Sequence, residues 1–222
     1  MSKLYFRYGA MNSGKSTALL QAAFNYEERG QQVLLAKPET DTKGRGAIVS
    51  RLGFSRPVDF TIAPGEDIYE KFADESAKTL ARTGMRVACL LVDEAQFLTE
   101  GQVDDLLRIA ILEDVPVLAY GIRTDFQTAA FPGSRRLLEI AHSLEELKTI
   151  CRCGRKAIFN ARKSGDRYVF DGAQVAIDDG GEVTYEALCA SCYLEESGGV
   201  LSSGWRPTGE FSYRNGPDAD FT

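Results

Sequence analysis

Two periodicities of apolar residues alternate along the first 150 residues of the chain. Short runs of apolar and aromatic residues predict buried strands at Lys3–Tyr8, Val33–Ala36, Arg86–Val92 and Val115–Tyr120. Apolar residues that recur at helical spacing predict helices at Thr17–Arg29, Asp67–Arg82, Gln102–Leu112 and Ser134–Ala141. Because strands that alternate with helices form parallel sheets covered by helices, the pattern predicts an α/β fold.

The pattern changes after Ile150. Short alternating segments, such as Arg167–Phe170 and Gln174–Ile177, are separated by turn residues and predict a small β-rich module. From Ser197 onward glycine, serine and proline are frequent, a composition typical of disordered chain. We therefore expect an α/β domain at residues 1–149, a small β-rich domain at 150–195 and a disordered tail at 196–222. The polar stretch from Pro38 to Gly53 is expected to be a mobile loop.

Composition narrows the class of protein. Hydrophobic residues make up 44% of the 222-residue chain, yet no run approaches the roughly 18 apolar residues of a membrane-spanning helix. The net charge of −6 disfavours a broad contact with the phosphates of a nucleic acid. The first predicted strand begins too early to leave room for a cleavable export signal. We therefore expect a cytoplasmic protein that binds neither a membrane nor a nucleic acid.

A glycine-rich segment, GAMNSGKST, lies between the first predicted strand and the first predicted helix. Its spacing fits G-x-x-x-x-G-K-[ST], in which backbone N–H groups and a helix N-terminus bind nucleotide phosphates. A chance match in a turn of small residues is the alternative, which the flanking strand and helix disfavour. We expect Lys15 to contact the β- and γ-phosphates of ATP, Ser16 to ligate Mg²⁺, and the phosphates to be bound by Gly9, Met11, Asn12, Ser13, Gly14, Lys15, Ser16 and Thr17.

Two carboxylates, Asp93 and Glu94, follow the strongly apolar strand. Ligands of such folds bind beyond the carboxyl ends of the strands, so we expect Asp93 to hold Mg²⁺ and Glu94 to accept a proton from the attacking group. That group is water in an ATPase and a substrate hydroxyl in a kinase, and the pair does not distinguish the two. A solvated acidic turn without a catalytic role is the other alternative.

Four of the five cysteines form two close pairs: Cys151, Cys153, Cys189 and Cys192. Four thiolates can complete a tetrahedral Zn²⁺ site, which stabilises a domain with little core of its own. We expect structural zinc, with free thiols or a disulfide as the alternatives. Cys89 lies within an apolar strand and is expected in the core. His142, the single histidine of the sequence, is expected to be a partly exposed structural residue, with a fifth metal ligand or a general base as the alternatives.

Taken in order, these motifs resemble the thymidine kinases of the zinc-containing, phosphate-loop type found in bacteria and animals. The resemblance extends over about residues 3–195 through GAMNSGKST, KPETDT, DEAQF, YGIRTDFQTAAF, LKTIC with the cysteine pairs, and TYEALCASCY. The phosphate loop alone is generic, whereas DEAQF followed by RTDFQ and paired cysteines is far more specific. The resemblance implies a phosphate-loop NTPase core, with a parallel sheet flanked by helices, and a small zinc-binding lasso domain.

The resemblance also implies an activity: transfer of the γ-phosphate of ATP to the 5′-hydroxyl of thymidine, with deoxyuridine also accepted, in deoxynucleotide salvage. By matched position, Glu94 is the catalytic base and the thymine pocket is lined by Met11, Phe97, Ile122, Phe126, Phe131 and Tyr185. Taken singly, the aromatic residues are also compatible with packing in a core. The family further implies a homotetramer that thymidine triphosphate inhibits.

Three departures from the family pattern affect these expectations. Lys43-Gly44 stands where the family commonly has Arg-Tyr, so the role of that arginine passes to Lys43, to Arg45 or to neither. The segment Ile177–Tyr185 is longer than usual, and the first cysteine pair is C-x-C. Two rival functions stay open: another phosphate-loop ATPase, such as a helicase-like motor, and a zinc-ribbon nucleic-acid binder that uses ATP as a switch.

Overall fold

A computed structural model describes residues 1–40, 46–172 and 183–205 of the chain. The chain divides into two compact units. The first unit consists of Met1–Gly9, Ser13–Arg123 and Ala130–Leu147. The second unit consists of Ala10–Asn12, Thr124–Ala129 and the chain from Lys148 onward. The second unit thus includes two short segments that the sequence pattern alone does not assign to it, and the domain boundaries drawn from sequence stay a prediction.

The first unit is built on a six-stranded sheet whose neighbouring strands all pair in parallel. In chain order its strands and those of a short hairpin are β1 (Leu4–Tyr8), β2 (Gln32–Pro38), β3 (Ala47–Val49), β4 (Ser55–Pro57), β5 (Phe60–Ile62), β6 (Val87–Val92), β7 (Val117–Gly121) and β8 (Ser143–Glu146). Across the sheet the order is β5-β2-β6-β7-β1-β8. The antiparallel hairpin β3–β4 begins within the stretch expected to be a loop.

The helices of the first unit are α1 (Lys15–Glu27), α2 (Ile68–Thr83), α3 (Glu100–Leu112) and α4 (Pro132–Ile140), with a 3₁₀ turn at Ala95–Phe97. The four predicted helices are therefore confirmed, with ends within two residues of those predicted. Asp67 caps α2 by accepting a 2.9 Å hydrogen bond from the N–H of Glu70. Within the described residues, no helix has the length and apolar content that spanning a bilayer requires.

The sheet buries an apolar layer on each of its faces. Leu90 of β6 packs in one layer with Leu106 and Ile109 of α3. The next residue, Leu91, packs in the other layer with Leu19 of α1. Because successive strand residues point to opposite faces, a strand that is apolar at every position must be covered on both sides. This arrangement confirms the predicted α/β fold.

The second unit is small and rich in antiparallel strands. Its elements are β9 (Thr149–Ile150), β10 (Lys156–Ala157), β11 (Phe159–Ser164), β12 (Arg167–Val169), β13 (Val183–Leu188) and α5 (Ala190–Glu196). Strand β11 lies between β12 and β13, and β9 pairs with β10. The predictions for Lys43 and Arg45, for the strand Gln174–Ile177 and for the tail at 206–222 concern positions outside the described residues.

Candidate active site

The loop that begins at Gly9 follows β1 and leads into α1. The N–H of Gly9 donates a 3.3 Å hydrogen bond to the carbonyl of Gly121, at the end of β7. A Cβ atom at Gly9 would lie 2.4 Å from Oγ of Ser13 and 2.5 Å from the carbonyl oxygen of Leu147. Gly14 has a φ of 80°, in the left-handed region that glycine adopts most readily. Both glycines of the predicted motif are thus required by the shape of the loop.

Lys15, the first residue of α1, is 8% exposed and extends toward the start of the loop. Its Nζ lies 3.5 Å from the carbonyl oxygen of Gly9 and 3.5 Å from Oγ of Ser13. This arrangement puts an ammonium charge beside backbone N–H groups at a helix N-terminus, where anions bind readily. The position agrees with the predicted contact between Lys15 and the β- and γ-phosphates, which stays a prediction.

Ser16 of α1 and Asp93, the residue after β6, come together in the first unit. Oγ of Ser16 donates to Oδ2 of Asp93 at 3.4 Å, a long contact, and Oδ1 of Asp93 accepts a 3.0 Å hydrogen bond from the N–H of Glu94. A hydroxyl and a carboxylate are oxygen ligands of the kind that Mg²⁺ prefers, and Mg²⁺ commonly shares such ligands with nucleotide phosphates. The two residues therefore fit the predicted Mg²⁺ site.

Glu94 has an unusual backbone conformation for a residue with a side chain. Its φ of 49° and ψ of 37° are left-handed. Such conformations cost on the order of 1 kcal/mol or more and are concentrated at functional sites. The carboxylate is half-buried, and its Oε2 accepts a 2.5 Å hydrogen bond from Nε2 of Gln96. The backbone strain therefore supports a functional role for Glu94. No sequence pattern predicts this contact of Gln96.

Three residues of the phosphate-loop sequence, Ala10–Asn12, belong to the second unit. The N–H of Met11 donates a 2.7 Å hydrogen bond to Oδ1 of Asn160, whose Nδ2 donates to the carbonyl of Thr124 at 2.8 Å. Asn160 is 2% exposed, so its amide holds two chain segments to β11 from a buried position. Asn160 is not among the residues predicted from sequence, because nothing in its local sequence indicates partners so distant along the chain.

Three of the six predicted thymine contacts lie in the first unit. The rings of Phe97 and Phe131 meet edge to face, with centroids 5.6 Å apart and an interplanar angle of 82°. Ile122 is buried directly after β7, and its N–H donates a 3.2 Å hydrogen bond to Oε1 of Gln96. The two rings are thus packed on each other, and the backbone of Ile122 is bound to Gln96 of the 3₁₀ turn.

The other three predicted thymine contacts lie in the second unit. Phe126 is buried, its carbonyl accepts a 2.7 Å hydrogen bond from the hydroxyl of Tyr193, and the guanidinium carbon of Arg162 is 3.9 Å from its ring centroid. Tyr185 lies in β13, paired with Arg162 of β11, and Met11 is half-buried. Contact of all six side chains with a nucleoside stays a prediction.

The four paired cysteines converge in the second unit, and their sulfur atoms all lie within 4.8 Å of one another. Sγ of Cys153 is 3.6 Å from Sγ of Cys189. In a tetrahedral zinc site with Zn–S bonds of about 2.3 Å, the sulfurs are separated by about 3.8 Å. The β9–β10 turn positions the first pair, where the N–H of Cys151 donates to the carbonyl of Arg155 at 2.8 Å. The four side chains fit a structural zinc ion.

The cysteine thiols differ in acidity. A hydrogen bond from the backbone of Arg155 lowers the pKa of Cys153 to about 7. Burial raises the pKa of Cys192 to about 12. Cys89 lies apart from the cluster in β6, where burial likewise raises its pKa to about 12. The prediction that Cys89 is a core residue is confirmed.

His142 has a structural role in the first unit. Its Nδ1 accepts a 3.1 Å hydrogen bond from the N–H of Leu4, at the start of β1. The imidazole is exposed and lies between α4 and β8 in the chain. In this position it helps to hold the edge of the sheet, in agreement with the structural role expected from the sequence.

Comparison with known proteins identifies the family. The family model described as thymidine kinase matches residues 2–193. A thymidine kinase of Ruegeria pomeroyi is 46% identical over 201 residues, which cover 89% of this chain and 96% of that protein. A thymidine kinase of Chromobacterium violaceum is 46% identical over 195 residues, which cover 87% of this chain and 98% of that protein.

A solved structure of a replication initiator bound to AMPPCP and single-stranded DNA is a much weaker match. It covers 66% of this chain and 40% of its own length at 18% identity, and its TM-score of 0.35 is too low to bear on function. The sequence relatives and the family model, by contrast, agree with each other and span nearly the whole described chain. The chain therefore belongs to the thymidine kinase family.

Proposed function

We propose that this chain transfers the γ-phosphate of ATP to the 5′-hydroxyl of thymidine, and that it also accepts deoxyuridine. The monophosphate products would supply DNA synthesis through deoxynucleotide salvage. We place the reaction in the cytoplasm, a reducing compartment that keeps cysteine thiols available to a metal. By resemblance to the family, we further propose a homotetramer that thymidine triphosphate inhibits.

The observation that carries the proposal is the placement of Glu94 next to Asp93 in the first unit. Oγ of Ser16, in α1, is 3.4 Å from Oδ2 of Asp93, and the predicted base, Glu94, directly follows Asp93 at the end of β6. A base for a phosphoryl acceptor has to stand close to the γ-phosphate that the metal ion and the loop hold. Glu94 meets that requirement through its position in the chain.

The proposed chemistry is an in-line displacement at the γ-phosphorus. Lys15 and the N–H groups of the loop neutralise and orient the phosphates. As the 5′-oxygen forms its bond to the γ-phosphorus, its proton passes to the Glu94 carboxylate. The bond between the γ-phosphorus and the bridging oxygen breaks, and ADP leaves with the electron pair. Ser16 and Asp93 would hold Mg²⁺, which would supply further positive charge to the phosphate oxygens.

The remaining site residues are proposed as contacts of the nucleoside and the metal. A flat pyrimidine with a methyl group is bound by aromatic and apolar walls with a few hydrogen bonds. We assign this role to Met11, Phe97, Ile122, Phe126, Phe131 and Tyr185. We assign a structural zinc ion to Cys151, Cys153, Cys189 and Cys192.

The charged residues near the four clustered cysteines argue against one rival function, the zinc-ribbon nucleic-acid binder. Arg152 forms an ion pair with Glu196, and Nζ of Lys163 is 3.8 Å from a carboxylate oxygen of Glu186. Basic side chains that are paired with carboxylates contribute less positive potential to a phosphate backbone. This local neutralisation favours the kinase over a zinc-ribbon reader of DNA or RNA.

The test is a direct assay of purified protein with Mg·ATP and a panel of nucleosides, in which ADP and nucleoside monophosphates are both quantified. We expect ADP release that depends on thymidine and matches thymidine monophosphate one to one. Double-stranded DNA, single-stranded DNA and RNA are added in parallel reactions. ATP turnover that nucleic acid stimulates and thymidine leaves unchanged would contradict the proposal and favour a motor protein.

A further inference from the structure

Gln96 is a buried glutamine that the chemistry described above does not use. It lies in the 3₁₀ turn two residues after Glu94 and is 1% exposed. Its Nε2 donates a 2.5 Å hydrogen bond to Oε2 of Glu94, and its Oε1 accepts a 3.2 Å hydrogen bond from the N–H of Ile122. One side-chain amide thus joins the Glu94 carboxylate to the chain segment that follows β7.

The orientation of this amide is determined by its partners. A backbone N–H can only donate, so the oxygen of the Gln96 amide must face Ile122. The nitrogen is then directed to Glu94, where an ionised carboxylate can only accept. In a flipped amide, the NH₂ group would face the N–H of Ile122, donor against donor. Its carbonyl oxygen would face the Glu94 carboxylate, acceptor against acceptor. The Gln96 side chain therefore presents an N–H donor to Glu94 in a fixed direction.

The surroundings of Gln96 leave it little freedom to move. A Cβ atom at Gly121 would lie 2.7 Å from Oε1 of Gln96, so only glycine at this position leaves room for the amide. The carbonyl of Ile122 accepts a 2.5 Å hydrogen bond from Oγ of Ser134, a fully buried residue of α4. Ile122 is therefore hydrogen-bonded through both of its own backbone groups, its N–H to Gln96 and its carbonyl to Ser134.

We propose that Gln96 is the positioning residue for the Glu94 carboxylate, an inference that rests on the proposed function of Glu94 as the base. The amide holds Oε2 and leaves Oε1 for the hydroxyl of the phosphoryl acceptor. The left-handed backbone of Glu94 allows the side chain to meet this donor only two residues further along. Proton transfer is sensitive to the placement of the base, so loss of the amide lowers turnover more than substrate binding.

The experiment compares Gln96→Met with Gln102→Met. Gln102 is a second buried glutamine of the same unit, 5% exposed, whose amide bonds to Thr99 and to the carbonyl of Ala63. Both substitutions remove an amide and leave buried groups unpaired, so both lower the unfolding temperature. We expect Q96M to lower kcat about 10-fold with KM for ATP and thymidine changed by less than about threefold, and Q102M to keep kcat within about twofold.

A double-mutant cycle with Glu94→Gln distinguishes loss of the positioning of Glu94 from a general disturbance of the folded site. If Gln96 acts through Glu94, then Q96M causes no further loss of kcat in the E94Q background. Should Q96M fail to fold, Gly121→Ala provides a milder displacement of the same amide and is expected to show the same dependence on Glu94. Equal turnover in Q96M and Q102M, or a full 10-fold loss that persists in the E94Q background, would overturn the positioning role.

The outcomes also distinguish this inference from the proposed function. An E94Q variant with near-normal turnover removes Glu94 as the base and, with it, the reason for positioning. An inactive E94Q variant beside a Q96M variant that behaves like Q102M leaves the base in place and refutes the role of Gln96 alone.

Discussion

The backbone N–H of Met11 and the side-chain oxygen of Asn160 form a 2.7 Å hydrogen bond across 149 positions of the chain. Met11 belongs to the phosphate-loop sequence. Asn160 is a buried residue of β11, seven positions after Cys153 in the chain. The second amide hydrogen bond of Asn160, to Thr124, anchors the segment Thr124–Ala129. Asn160 therefore binds two loop segments to which the proposed function assigns substrate contacts.

The first prediction concerns this amide. Asn160→Leu leaves the Met11 N–H and the Thr124 carbonyl without their partner, and we expect the free energy of unfolding to fall by roughly 1–3 kcal/mol. We also expect weaker ATP binding, measured by calorimetry, because Met11 lies in the phosphate loop. Asn25→Leu is the control: Asn25 is exposed on α1, where it accepts a hydrogen bond from Gln21. Identical stability and ATP affinity in the two variants would show that the buried amide has no such role.

The second prediction concerns the proposed base. Glu94→Gln keeps the size of the side chain and removes its capacity to accept a proton, so we expect kcat to fall by a factor on the order of 10² while ATP still binds. Turnover is measured as thymidine-dependent ADP release, and ATP affinity by calorimetry. Glu100→Gln makes the same change of charge at the exposed first residue of α3 and should leave kcat unaltered. A loss of ATP binding in E94Q would point to a structural defect instead.

The third prediction concerns the five thiols. Elemental analysis of the purified protein should find one zinc ion per chain, and a strong chelator should release it. After chelation, the four clustered thiols should react with a thiol reagent, whereas Cys89 should react only on unfolding, because it is fully buried and its pKa is raised to about 12. Cys89→Ala serves as the control and should leave four reactive thiols before and after unfolding. Rapid reaction of all four clustered thiols without chelation would argue against a bound metal.

A related prediction concerns the coupling of the metal to substrate. Cys192→Ser removes one of the four proposed zinc ligands, so the purified variant should contain less zinc. Because Tyr193, the next residue, donates a 2.7 Å hydrogen bond to the carbonyl of Phe126, we also expect a higher KM for thymidine. Cys89→Ser provides the comparison, since it changes a thiol outside the cluster. A metal-free Cys192→Ser protein with an unchanged KM for thymidine would show that nucleoside binding does not depend on the cysteine cluster.

The final prediction compares two helical glycines. A Cβ atom at Gly133, in α4, would lie 2.4 Å from the carbonyl oxygen of Ala95 and 2.8 Å from that of Leu98, both of which are backbone atoms. At Gly101, in α3, a Cβ atom would meet nothing within 4 Å. Gly133→Ala should therefore destabilise the protein by more than about 1 kcal/mol, and Gly101→Ala should stabilise it by about 0.5–1 kcal/mol. Denaturant unfolding of both variants measures the change in the free energy of unfolding. A change of the same sign in the two variants would contradict the prediction.

The sequence predicted the elements whose signal is local. The helix predicted at Asp67–Arg82 is found at Ile68–Thr83, because Asp67 is the cap and not part of the helix. The helix predicted from Ser134 begins at Pro132, where proline at the first helical position loses no hydrogen bond. The central strands were predicted because they are apolar throughout. The convergence of the cysteine pairs could also be anticipated, since their spacing is itself the signal.

The parts that sequence could not predict depend on contacts between distant segments. The hairpin β3–β4 has strands of three residues, too short for an apolar period to be recognised. Gln96 and Asn160 are buried polar residues whose partners lie in distant segments: Ile122, just after β7, for Gln96, and Met11 and Thr124 for Asn160. A glutamine or asparagine has the same local sequence signal whether it is buried or solvated, so neither role could be recognised before the fold was known.

The chain path of the second unit limits how this protein can change by recombination. Three separate stretches build that unit, and two of them, Ala10–Asn12 and Thr124–Ala129, are inserted within the chain of the first. A fragment starting at Lys148 would carry all four clustered cysteines but would lack the groups that pair with Asn160 and Tyr193. The segment with the four clustered cysteines is consequently not expected to fold alone. Exchanging it between relatives would require exchange of all three stretches together.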